Sequence, residues 1–241
     1  MNQPSKPFYF KKFTIKQDYC LMKVGTDSVL LGAWVDVANA SKVLDIGTGT
    51  GILALMVAQR NELVKIHAVE IDEQSALQSL ENCKMSLWSD RIVVYHKSIQ
   101  EFCKIRLEQY DHIISNPPFF VNGTLSNDKT RNTARHALDL THTEILRSSD
   151  ILLKKEGSLS LILPLTEGRE FIGEAIGFGF YCNNMTEVYP KENKAVARLL
   201  MRFSRQATPI KIDQLIIQKS DEGNDYTEPY KELTKDFYKI L

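Results

Sequence analysis

A chain of 241 residues, 43% hydrophobic and 25% charged, has room for one sizeable core and the composition of an ordinary soluble globular protein. Thirty basic residues balance thirty acidic ones, so total charge carries no nucleic-acid signal and only its local distribution can. Cys20, Cys83, Cys103 and Cys182 are scattered without a C-x-x-C pair, which favours free thiols and predicts no metal site. The residues after Met1 lack a signal-like apolar segment, and no apolar run approaches the ~20 residues that span a bilayer. The expected location is the cytoplasm, with no membrane partner and no obligate protein partner.

Aromatic and β-branched residues among lysines predict a short hairpin or edge segment over Phe8 to Gln17. Thr26-Asp27 is expected to cap a helix reaching about Val37, with Val29, Leu30, Ala33 and Trp34 on its apolar face. From Lys42 onward the periodicity alternates. Val43 to Ile46, Lys65 to Glu70, Ile92 to His96 and Tyr110 to Ser115 read as strands. Thr50 to Gln59 and Glu73 to Leu87 read as helices between them. This predicts an α/β fold of βαβ units around a mostly parallel sheet.

The polar, basic, threonine-rich stretch Val121 to Leu140 breaks the rhythm and reads as a long functional loop. Beyond it, Thr143 to Leu153 and Glu167 to Ile176 are predicted helices, with Ser158 to Leu163 a strand between them. Met185 to Tyr189 and Ala197 to Phe203 are expected to close the sheet as a pair. Ile210 to Ile217 adds a strand, and Glu228 to Leu241 a terminal helix.

Two segments carry chemistry. In Asp45-Ile46-Gly47-Thr48-Gly49-Thr50-Gly51, glycines between a strand and a helix permit a tight turn and close approach of a ligand to the backbone. Ile52 stands where the dinucleotide fingerprint has its last glycine. Glu70, ending the next strand, can accept hydrogen bonds from ribose hydroxyls, and Asp45 can face an ammonium group. Carboxylates with backbone amides suit an amino-acid nucleoside such as S-adenosylmethionine better than a pyrophosphate; a nicotinamide dinucleotide is the alternative.

The second segment is Asn116-Pro117-Pro118-Phe119. Two prolines end the preceding strand and hold Asn116 out of helical geometry, leaving a carboxamide, carbonyls and a ring at a strand end. That set suits a planar group bearing –NH2, although a proline pair is also compatible with mere strand termination.

With these segments in order, the chain resembles the class I S-adenosylmethionine-dependent methyltransferases of the N6-adenine type. Among them it is most similar to the bacterial tRNA1(Val) adenine-37 N6-methyltransferase family. The matching residues are Phe13, Lys23 to Asp27, Leu30 to Trp34, the Asp45 to Gly51 loop, Glu70, Asn116 to Phe119, and Ala134-Arg135-His136. The resemblance implies a Rossmann-like, seven-stranded sheet with an antiparallel last strand near Ala197 to Phe203 and helices on both faces. It implies a single domain over 1–241: a hairpin and helix beside the cofactor pocket (1–40), a core (42–205) and an extension (206–241).

It also implies roles. Asn116, Pro117, Pro118 and Phe119 form the catalytic segment, with the Asn116 oxygen and the Pro117 carbonyl accepting the amino N–H groups and Phe119 stacking on the base. The cofactor falls to Thr26, Asp27, Asp45, Gly47, Gly49, Gly51, Glu70, Ser98, Ile99 and Asn116. Ser98 occupies a place where many relatives carry an acidic residue. Thr26-Asp27 is equally compatible with a plain helix cap. Contacts to the anticodon loop of a tRNA fall to Lys23, Arg135, His136, Lys194 and Arg198, against the alternative of a solvated basic face. Rival readings are a guanine-N2 methyltransferase of ribosomal RNA, a release-factor glutamine methyltransferase, and a non-catalytic RNA-binding protein on the same fold.

Overall fold

The structure is a computed structural model and describes residues 5–20, 22–105, 109–118, 140–220 and 225–239. It opens with strands β1 (Phe8–Tyr9) and β2 (Thr14–Ile15), paired antiparallel as the expected hairpin, and helix α1 (Thr26–Trp34). There follow β3 (Lys42–Ile46), α2 (Ile52–Arg60), β4 (Lys65–Glu70), α3 (Glu73–Lys84), β5 (Ile92–His96), α4 (Ile99–Ile105) and β6 (Tyr110–Ser115). The second half contains α5 (His142–Leu152), β7 (Leu153–Pro164), α6 (Leu165–Gly177), β8 (Tyr181–Lys191), β9 (Arg198–Ser204), β10 (Lys211–Gln218) and α7 (Glu228–Thr234). The expected long loop falls almost entirely outside the described residues.

Eight strands form the main sheet in the order β10-β8-β9-β7-β6-β3-β4-β5. Among them β9 alone runs antiparallel, inserted between β7 and β8. The anticipated seven strands are all present, and the carboxy-terminal extension adds the eighth, because β10 pairs parallel with the outer side of β8. The central strands are covered on both faces, and their side chains divide accordingly. Val43, Ile66, Ala68, Ile114 and Leu200 enter one core with the helices α1, α2 and α7. Leu44, Ile46, Val69, Ile113 and Met201 enter the other with α4, α5 and α6. This is the helices-on-both-faces layering expected of the fold.

Helix α1 is fixed from several sides. Gly32 lies against α2 so closely that a Cβ there would meet Met56 Sδ at 2.6 Å. Arg60, ending α2, donates from Nη1 to the Gly32 carbonyl at 3.0 Å and to the Val35 carbonyl, satisfying acceptors left open at the end of α1. Trp34 Nε1–H donates to Thr186 Oγ1 at 2.9 Å, tying the helix to β8.

Several boundaries differ from expectation. The helix α1 stops at Trp34 rather than Val37, because Val35 turns to extended dihedrals. Its cap residue is Gly25, and neither Thr26 nor Asp27 caps it. The terminal helix stops at Thr234. Helix α4 was not anticipated; it begins after Ser98, whose Oγ accepts from the Glu101 N–H at 3.2 Å while Glu101 Oε2 accepts from the Ser98 N–H at 3.1 Å. That reciprocal S-x-x-E capping box is a helix-start signal visible in the sequence. Among the described residues, no helix is long and apolar enough to cross a membrane.

Candidate active site

Strands β3, β4 and β6 end side by side, β3 pairing parallel with β4 on one flank and β6 on the other. The chain winds away from β3 in both directions at this point, which opens a crevice at the strand ends where α/β sheets take ligands. Gly47, Gly49 and Gly51 all have positive φ (71°, 55° and 83°), so this turn requires glycine three times. The Gly47 and Thr48 N–H groups donate to the Val69 carbonyl at 2.9 and 3.1 Å, holding the loop against the end of β4. A Cβ on Gly51 would meet Ser79 Oγ at 2.7 Å, whereas a Cβ on Gly49 would meet nothing within 4 Å. Gly51 is therefore required by packing, and Gly49 leaves open space over the loop.

Two carboxylates flank the loop. Asp45 is fully buried, and Thr48 Oγ1–H donates to its Oδ2 at 2.6 Å. Its Oδ1 is buried and has no hydrogen-bond partner among the described residues. Burial pushes the Asp45 carboxyl up to about 7, against opposing hydrogen bonds from Thr48 and the Ala54 backbone. Glu70 is also buried; its Oε2 accepts from the Gly49 N–H at 2.8 Å and its Oε1 from the Asp72 N–H at 3.0 Å. Burial raises its pKa, and backbone donors at Asp72, Gly49 and Ile71 oppose that shift. An orphaned buried carboxylate oxygen wants a donor, preferably a cationic one. An open glycine cradle between Asp45 and Glu70 fits an amino-acid nucleoside with an ammonium at one end.

Asn82 on α3 links this cradle to the amino-terminal hairpin, a contact the sequence did not suggest. Its Nδ2 donates to the Thr50 and Lys16 carbonyls, both at 2.8 Å, while its Oδ1 accepts from the Lys16 N–H at 2.9 Å.

On the other flank, Ser115 Oγ donates to the Ile46 carbonyl at 2.8 Å, locking the end of β6 to the end of β3. The next residue, Asn116, donates from Nδ2 to Ser28 Oγ on α1 at 2.8 Å. Its Oδ1 is buried and unpartnered among the described residues. Pro117 is buried and Pro118 half-buried behind it. An aligned acceptor with no donor therefore sits one strand away from the glycine cradle.

The remaining anticipated residues divide. Ile99 is buried in the core that includes Val69 and Phe102, and the Ser98 hydroxyl serves the α4 cap through Glu101. Thr26 is exposed. The Asp27 carboxylate is taken by Arg198, whose Nε donates to it at 2.8 Å. Lys23 is exposed and donates to the Gln17 carbonyl, while Lys194 stands exposed between β8 and β9. Phe119, Arg135 and His136 lie outside the described residues. His67 and His112 are structural: His67 bonds the Tyr110 hydroxyl at 2.6 Å, and His112 bonds Ser158 and Ser160.

The Methyltransferase small domain family matches residues 16–170, which include every element of this crevice. Curated relatives match the whole length. A protein of Trichodesmium erythraeum named tRNA1(Val) (adenine(37)-N6)-methyltransferase is 44% identical, over 96% of this chain and 97% of its own. One of the same name from Pasteurella multocida is 41% identical, over 99% of both chains. The chain belongs to the tRNA1(Val) (adenine(37)-N6)-methyltransferase family. It is an enzyme of the methyltransferase class.

Solved structures agree on the fold. A predicted O-methyltransferase from Agrobacterium tumefaciens superposes with a TM-score of 0.65 at 19% identity, over 88% of this chain and 96% of that one. A ribosomal protein L11 methylase from Lactobacillus delbrueckii gives 0.52 at 16% identity, over 75% and 77%. At such low identity this likeness speaks for architecture and leaves the substrate to the site.

Proposed function

We propose that this enzyme transfers a methyl group from S-adenosylmethionine to N6 of adenine 37, beside the anticodon of tRNA1(Val). The observation that carries the reading is the buried Asn116 Oδ1 beside a glycine cradle that ends in the buried Asp45 Oδ1, both without a hydrogen-bond partner among the described residues. Family membership supplies the particular RNA and position.

Asp45 would hold the cofactor's ammonium and Glu70 its ribose hydroxyls. Gly47, Gly49 and Gly51 let it approach the backbone, with Ser98, Thr26 and Asp27 on the rim and Ile99 packed beneath it. When bound, S-adenosylmethionine supplies an electrophilic methyl group on a sulfonium centre. The chain's own task is to present the adenine nitrogen. That nitrogen is a weak nucleophile because its lone pair is delocalised into the ring.

Asn116 Oδ1 and the Pro117 carbonyl accept its two N–H bonds. Two acceptors favour a pyramidal nitrogen and stabilise the positive charge that develops on it, an electrostatic contribution from groups already oriented. No strong base is required before attack, and the surplus proton leaves to water afterwards. Alignment supplies much of the remaining rate. Phe119 would stack on the base, a contact worth about 1–3 kcal/mol in single-stranded recognition. An anticodon-loop purine suits this site because an unpaired base costs less to extrude than a paired one. Lys23, Lys194, Arg198, Arg135 and His136 are the proposed contacts to the RNA backbone.

The test is transfer of label from S-adenosylmethionine to tRNA lacking the modification, followed by digestion to nucleosides and mapping. N6-methyladenosine at position 37 is expected. N2-methylguanosine, label on protein, or cofactor binding without transfer would each replace this reading with one of its rivals.

A further inference from the structure

A carboxamide presents an oxygen on one side and an –NH2 on the other, and the two are nearly the same size. An asparagine that must accept from an amino group is useful in only one of its two orientations. Flipped by half a turn about its last bond, it offers donors to a donor. An incoming amino group itself favours the accepting face, and what the fold must supply is a fixed plane and position for the carboxamide.

We propose that Ser28 is a positioning residue for methyl transfer: its hydroxyl tethers one end of the Asn116 carboxamide to α1 and so holds the other end at a fixed place beside the glycine cradle. The proposal rests on the reading of Asn116 as the amino-group acceptor. Ser28 Oγ accepts from Asn116 Nδ2 at 2.8 Å, across 88 residues of sequence. The same carboxamide has its oxygen buried and without a partner among the described residues, so the serine engages one end and leaves the other open. A serine hydroxyl can accept or donate, so this bond fixes the plane and position of the carboxamide, and the substrate's own N–H donors favour the orientation with Oδ1 toward them.

The support for Ser28 is rigid, as a positioning group requires. It lies in the first turn of α1, between residues held to other parts of the sheet. Just before it, Asp27 pairs with Arg198 at the start of β9. Further along, Trp34 bonds Thr186 on β8, and Arg60 closes the carbonyl end of the helix. The helix preceding the first sheet strand thus reaches the acceptor side of the site, in addition to flanking the cofactor side.

The experiment compares wild type, Ser28→Ala and Ser28→Thr in steady-state methylation of the tRNA, with cofactor affinity by titration and Tm alongside. Wild-type formation of N6-methyladenosine decides the underlying reading first and independently; its absence overturns both. Given that product, Ser28→Ala is expected to lower kcat about 3- to 10-fold, the worth of one ordinary hydrogen bond. Cofactor affinity should stay within twofold, and Ser28→Thr, which keeps the hydroxyl, should restore most of the rate. A Ser28→Ala enzyme with kcat within twofold of wild type would overturn the proposal. So would a loss of kcat matched by a loss of cofactor affinity and Tm, or a threonine variant as slow as the alanine one. Each of those results would make Ser28 a packing residue.

Discussion

The two flanks of the crevice are built in different ways. The cofactor flank is assembled from near neighbours in sequence: Thr48 bonds Asp45 three residues away, and Gly49 bonds Glu70 twenty-one residues away. The acceptor flank is assembled from distant ones, with Ser28 meeting Asn116 across 88 residues and Asp27 meeting Arg198 across 171. Apart from the tie through Asn82 to Lys16, local construction makes the cofactor flank a unit that many substrates can share. Long-range construction makes the acceptor flank depend on the whole sheet and on the amino-terminal helix, which is where specificity has room to differ.

The sharpest way to separate the flanks is Asn116→Ala. Removing one preoriented group that meets developing charge typically costs on the order of 10²–10³ in kcat. The expected result is a loss of that size with cofactor affinity within twofold of wild type, read by single-turnover methylation and by titration. A parallel loss of cofactor affinity would mean that the two flanks are one unit.

Asp45→Asn probes the other flank through pH. The ordinary aspartate value is 3.8, and burial lifts Asp45 to about 7 in the folded chain. Between those values the folded protein keeps a proton that the unfolded chain has released, so stability is greatest below about 4 and falls as pH rises through 7. Asparagine should remove this contribution and flatten the decline by a few kcal/mol, on the order of 1.4 kcal/mol per pKa unit. Denaturant titrations from pH 4 to 8 check it; equal slopes for both proteins would refute the assignment. Cofactor affinity in the wild type should rise over the same range, as Asp45 ionises to meet the ammonium.

Smaller and more discriminating is the pair Gly49→Ala and Gly51→Ala. Both impose an unfavourable left-handed conformation, which costs about 1–3 kcal/mol. Only Gly51 adds a clash, with Ser79 Oγ at 2.7 Å. Gly51→Ala should therefore lower Tm more, whereas Gly49→Ala should chiefly weaken the cofactor by filling the open cradle. Identical behaviour in melting and titration would remove the distinction between packing and ligand space.

This contrast also explains what could be read from the sequence. Positive φ at Gly47, Gly49 and Gly51 leaves a glycine signature in a contiguous string, and Asn116-Pro117-Pro118 announces the strand end through proline's missing donor. Strand positions were legible because buried parallel strands read as short apolar runs. The partner of β10 was not, since edge pairing is decided by tertiary packing. Ser28 left no local trace, because its meaning depends on a carboxamide brought to it by the fold. The segment after β5 also carried a helix-start signal, since Glu101, three residues on, accepts from the Ser98 hydroxyl. The start of α1 lies earlier than the expected Thr26-Asp27 cap, because the helix begins from Gly25, and Asp27 in its first turn pairs with Arg198.

That last ion pair gives the finest test of the comparison. Asp27 and Arg198 are each roughly a quarter exposed, with side-chain accessibilities of 22% and 28%. A pair so placed is worth only about 0.5–1 kcal/mol. If it braces α1 over the acceptor flank, Asp27→Asn and Arg198→Ala should each lower Tm by about 1–4 °C, and the double variant should fall no further than the worse single one. If Arg198 instead serves mainly the RNA, Arg198→Ala should raise the KM for tRNA while Asp27→Asn leaves it unchanged or lowers it by releasing the guanidinium. The expected outcome combines both roles in sequence: non-additive melting in the free enzyme, and a KM effect confined to Arg198→Ala. Additive melting would detach the pair from α1, leaving Ser28 to hold the acceptor flank without this brace.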